Sequence, residues 1–180
     1  MHKITDHHLK ITVALCLISF AVVFRLLPHP PNFAPVAAVA LFGGALLPRK
    51  LALTLPLCAM LLSDLAIGLH PLILFTWGSY AAIALLGNVY FTRLSAINVA
   101  FFSIGSSVLF FVITNFGVWL EGRLYPPTID GLVNSYINAL PFFRNTLLSD
   151  MFFSAALFGS YVLVYKYAFK RNINQRPMEA

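Results

Sequence analysis

Pro35-Val36-Ala37-Ala38-Val39-Ala40-Leu41-Phe42-Gly43-Gly44-Ala45-Leu46-Leu47 is the stretch on which the fold turns. It is apolar and uncharged, yet shorter than the roughly 20 residues a helix needs to cross a ~30 Å hydrocarbon core. Either it crosses, reaching back toward Asn32, or it is re-entrant and stays on one side.

Its neighbours decide between these. Five further apolar stretches run approximately over residues 11–27, 51–69, 72–86, 96–120 and 146–167. With six crossings and the N-terminus inside, Lys3, Lys10, Arg49, Lys50, Arg93, Lys166, Lys170, Arg171 and Arg176 are cytoplasmic. Only Arg123 and Arg144 then lie outside, and Arg25 falls within a helix. If the second stretch does not cross, only Lys3, Lys10, Arg123 and Arg144 are inside. Cytoplasmic loops carry the excess of Lys and Arg, so six crossings with both ends inside are expected. The expected fold is a single all-α membrane domain spanning residues 1–180.

Composition agrees. Of the 180 residues 59% are apolar and 10% charged, with a mean hydropathy of +0.83. Soluble domains run nearer 45–50% apolar and about 25% charged. The net charge of +6 sits between apolar runs rather than on a basic arm, which argues against a nucleic-acid partner and for membrane lipid. Lys3 and Lys10 precede an apolar run as in a signal peptide, but Arg25-Leu26-Leu27-Pro28 is no cleavage site, so the first segment is expected to stay as a helix. Cys16 and Cys58 fall within apolar runs and read as two buried thiols.

The outer loops differ from the inner ones. Pro28-His29-Pro30-Pro31-Asn32-Phe33-Ala34-Pro35 is too rich in proline for a helix. In the last outer loop, Ile129, Leu132, Val133, Tyr136, Ile137 and Leu140 recur at helical spacing after Thr128, a good N-cap. That predicts a short amphipathic helix, either an interfacial anchor or a lid over a site.

Ionisable groups inside membrane helices are costly, so each needs a partner or a purpose. Arg25 lies near the outer end of the first helix, Asp64 near that of the third, and Asp150 early in the sixth. Leu61-Leu62-Ser63-Asp64 is echoed by Leu147-Leu148-Ser149-Asp150, at similar depth. One reading pairs Arg25 and Arg144 with the two aspartates as a clamp. The other has these groups line a ligand cavity with His29, Asn32, Asn115, Trp119, Tyr125 and Asn145. Asn115 and Trp119 are four apart and are expected to share a face.

His70, beside Pro71, reads as a capping residue; His2, His7 and His8 lack the spacing of metal ligands. Ala34/Ala38 and Ala40/Gly44 have small-xxx-small spacing, for helix packing within the chain or for docking another subunit. The GxxxxGK[ST], HExxH and GxSxG motifs are absent, and no enzyme activity, cofactor or metal is expected.

Four blocks carry a resemblance: residues 25–44, Leu61-Leu62-Ser63-Asp64, Thr114-Asn115-Phe116-Gly117-Val118-Trp119 and Leu140-Pro141-Phe142-Phe143-Arg144-Asn145-Thr146-Leu147. Together they resemble a family of small bacterial membrane proteins described only as candidate transport proteins. That family is similar to the substrate-binding S components of energy-coupling factor (ECF) vitamin transporters. The resemblance implies a six-helix S-component-like protein of the bacterial inner membrane that captures a small vitamin-like molecule from outside. It would work with a transmembrane coupling subunit and two ATPases. S components often carry AxxxA on the first helix, whereas here Ala14 is followed four residues on by Ile18, so a solitary transporter is the other form. The expected substrate-binding residues are Arg25, Asn32, Asp64, Asn115, Trp119, Arg144, Asn145 and Asp150. The competing class is a structural or assembly subunit whose polar cluster only locks helix packing.

Overall fold

The computed structural model describes residues 7–174, with side chains described to residue 166. His2, Lys3 and Arg176 lie outside the described residues, as do the side chains of Lys170 and Arg171. The chain folds as α1 (His7–Leu26), α2 (Val36–Leu46), α3 (Arg49–Ile67), α4 (Ile73–Tyr90), α5 (Ala96–Glu121), α6 (Ile129–Ile137) and α7 (Leu140–Asn174), with no strand among the described residues. It is an all-α membrane protein: α1, α3, α4, α5 and α7 are long and apolar enough to cross a bilayer.

The decisive stretch forms α2, a helix of 11 residues, every one of them buried. α1, α3, α4, α5 and α7 all pack against it. A helix that is apolar on every side belongs at the centre of a bundle. Its small residues permit close backbone approach to α4. A Cβ at Gly44 would collide with the Ala84 carbonyl oxygen, and one at Gly87 would lie 2.6 Å from the Leu41 oxygen. Asn88 Nδ2 donates to the Gly44 and Leu47 carbonyls at 3.0 and 3.1 Å, which partners the free carbonyls at the end of α2. The small-residue face is therefore used inside the chain, which corrects the alternative that it docks another subunit.

The contacts fix the directions of the helices. Arg25 at the end of α1 meets Asp64 near the end of α3, so these two run parallel. The proline-rich loop and α2 must carry the chain back between them. Trp77, early in α4, reaches Asp64, while Asn88, late in α4, reaches the end of α2. Ser107 of α5 meets Asp150 of α7, and Phe111 meets Phe143 one turn further along, so α5 and α7 are antiparallel. The ends of α1, α3 and α5 and the starts of α4 and α7 thus gather at one end of the bundle, here the polar end. Toward the other end Phe91 stacks on Phe158 at 4.8 Å and Phe42 meets the same ring edge-on at 5.0 Å.

Two features depart from the sequence reading. The last long helix begins at Leu140 rather than near residue 146, because Pro141 sits in its first turn, where a missing N–H loses no partner. Cys16 and Cys58 are exposed on the sides of α1 and α3 rather than buried; in an apolar run, facing lipid satisfies a thiol as well as a core does.

Candidate functional site

The polar end holds a cavity of about 620 Å³ whose lining includes Arg25, His29, Asn32, Thr76, Tyr80 and Asp150. A second cavity of about 300 Å³, which includes Asn115, shares Asn32, Thr76, Phe110 and Thr146 with the first. Both sizes fall within the range of small-molecule sites.

The first loop is shaped by its prolines. The Phe33 N–H donates to the Pro30 carbonyl at 3.0 Å, closing a turn with Pro31 and Asn32 at its centre. Asn32 has φ of 60°, a left-handed conformation that Asn tolerates better than most residues, and Pro31 presets the position before it. The turn places Asn32 in the wall of both cavities. α7 holds the loop in place: Asn145 Nδ2 donates to Pro31 O, and Ser149 Oγ to Ala34 O, each at 3.0 Å. His29 Nδ1 donates to Leu27 O at 2.7 Å, so a neutral ring presents Nε2 as an acceptor.

The charged residues divide into two unlike environments. Asp64 is 1% exposed and saturated. Its Oδ1 accepts from Arg25 Nη2 at 2.5 Å, its Oδ2 from Trp77 Nε1 at 2.8 Å, and His70 Nε2 stands 3.7 Å away. This cluster ties α1, α3 and α4 together. Arg25 keeps a buried Nε without a partner. Asp150, 2% exposed, accepts among the described residues only from Ser107 Oγ, on Oδ2 at 2.7 Å, and lines the larger cavity.

The expected pairing of Arg144 with Asp150 does not form. Because α7 already includes residue 144, the two residues sit six positions apart on one helix. That spacing turns them roughly 240° from each other. Arg144 is exposed and has no ion-pair partner among the described residues.

Of the expected site residues, Arg25, Asn32, Asn115 and Asp150 line the cavities, Asp64 anchors Arg25, and Asn145 braces the loop. Trp119 and Arg144 line neither. Trp119 donates to Thr128 O at 3.1 Å and lies against Phe116, so its polar atom serves the start of α6 instead. Asn115 donates back to Phe111 O at 2.8 Å.

α6 is the amphipathic helix the spacing predicts, capped by Thr128 through the Gly131 N–H. It packs on α5, and Tyr136 Oη donates to Val112 O at 2.8 Å. Ile129, Val133 and Ile137 stay exposed on its other side, and none of its residues lines either cavity. That geometry suits an interfacial anchor rather than a lid.

Sequence reasoning missed His70, Thr76, Tyr80, Phe110 and Thr146. Thr76 and Tyr80 are four apart on α4 and flank Trp77, a polar stripe in an apolar run that spacing alone offered. Tyr80 and Phe110 stack at 5.0 Å and 28° in the cavity wall.

Residues 5–173 match the model of a family of unknown function, DUF6580, and the chain belongs to that family. No curated protein and no solved structure matches it.

Proposed function

We propose that this member of a family of unknown function is a transport protein of the bacterial inner membrane that captures a small, vitamin-like solute from the outer side. In this reading the chain crosses six times with both ends in the cytoplasm, and the polar end faces out. The observation that carries it is the polar-end cavity, which gathers Arg25, His29, Asn32 and Asp150 from α1, the first loop and α7 into one wall. Alternating helix directions support six crossings, and the charge asymmetry supports the orientation. α2 and the non-helical residues before it supply the short crossing. Non-helical backbone is tolerated at membrane depth where protein surrounds it.

The protein works either as an S-component-like subunit of an ECF transporter or alone. In the first case a transmembrane coupling subunit with two ATPases moves the cargo, and it must dock on a face other than the buried one of α2. The second reading, a structural subunit, is favoured by the Arg25–Asp64–Trp77 cluster, which links three helices. Asp150 and Asn32 argue against extending it to the whole polar end, because both line open volume and Asp150 is tied across helices by a single bond from Ser107.

Sidedness is tested by single-cysteine labelling after Cys16→Ala and Cys58→Ala. An impermeant maleimide is expected to label Asn32→Cys in intact cells and Thr92→Cys, in the α4–α5 loop, only after permeabilisation. The reverse pattern removes outward capture.

A further inference from the structure

The cavity's charge balance names a ligand class. Arg25 and Asp64 neutralise each other. Asp150 has no such partner: no basic side chain pairs with it among the described residues, and Ser107 engages only Oδ2. Oδ1 is therefore left for the cavity. The other titratable groups in that wall are His29, held by Leu27 O, His70, which lies near Asp64, and the Tyr80 phenol. A carboxylate buried without a counter-charge is strongly unfavourable. The same lining includes Tyr80 and Phe110, stacked on each other, and aromatic rings attract cations. No group of three His, Cys, Asp or Glu side chains that could hold a metal exists among the described residues, and one free carboxylate oxygen matches a single positive group.

From this juxtaposition of Asp150 with the Tyr80–Phe110 pair, we infer that the captured solute carries a positively charged nitrogen, a protonated amine or quaternary ammonium, which seats against Asp150 Oδ1. The inference rests on the capture reading and narrows it to organic cations.

The test uses the full-length protein in mild detergent and three probes of similar shape in titration calorimetry: choline, its neutral tert-butyl analogue with carbon in place of nitrogen, and tert-butylacetate. Choline is expected to bind at least about tenfold more tightly than the neutral analogue. Asp150→Asn is expected to weaken it by about 30-fold or more. Should that variant fail to fold, carbodiimide labelling of Asp150 in the unsubstituted protein provides the second reading, with choline protecting and the neutral analogue not. Preferential binding of tert-butylacetate overturns the cation class and leaves capture standing. Equal binding of all three, or binding of none, also overturns the cation class. Capture itself then stands or falls on whether the purified protein carries any solute.

Discussion

Asp64→Ala is expected to destabilise the protein by roughly 3–5 kcal/mol, the cost of leaving a buried charge without its partner. Arg25 is only 17% exposed and its Nη2 is held by Asp64 alone. Trp77 Nε1 loses its acceptor in the same step. Arg25→Met is expected to cost less, because Asp64 keeps Trp77 and has His70 nearby. Arg25→Leu with Asp64→Leu is expected to recover most of the loss, since a well-packed apolar pair often equals a buried ion pair. Unfolding in mild detergent checks all three. If Asp64→Ala unfolds at the same temperature as the parent, the three-helix clamp has no energetic role.

The second large effect lies on α2. Gly44→Ala is expected to cost about 3 kcal/mol, at the upper end for overpacking, because the obstructing atoms are the Ala84 carbonyl and the Asn88 amide. Backbone cannot swing aside as a side-chain tip can. Gly105→Ala is the control, since nothing lies within 4 Å of a Cβ there. It is expected to stabilise α5 by roughly 0.5–1 kcal/mol through helix propensity. Comparable losses at both glycines would show that the α2–α4 contact is not the tight one described.

Much of the architecture was legible in the residues because lipid imposes long apolar runs. The five long helices follow those runs to within a few residues, apart from α7, which extends beyond the expected run at both ends. The short α2 was readable as a problem, and its Ala and Gly content as its solution, since only small residues let five neighbours close around it. The exposed cysteines were not readable, because an apolar run gives no sign of which face meets lipid. The site was legible in part for a related reason. Charges in apolar runs advertise themselves, so Arg25, Asp64 and Asp150 stood out. Which of them pair depends on helix register: Ser107 meets Asp150 only through the packing of α5 on α7. Phe110 gave no signal because aromatic residues in a membrane helix are common, and only packing brings it with Tyr80 into a cavity wall.

The polar-end cavity is expected to hold a solute. Small-molecule mass spectrometry of the gently solubilised protein tests it most directly, with Thr146→Trp as the comparison. Thr146 lies in the wall shared by both cavities, so an indole there takes up part of the space a solute needs. One solute is expected to be enriched in the parent protein and depleted in Thr146→Trp, with the fold retained. No enriched solute, or the same solute at the same level in both, would contradict it.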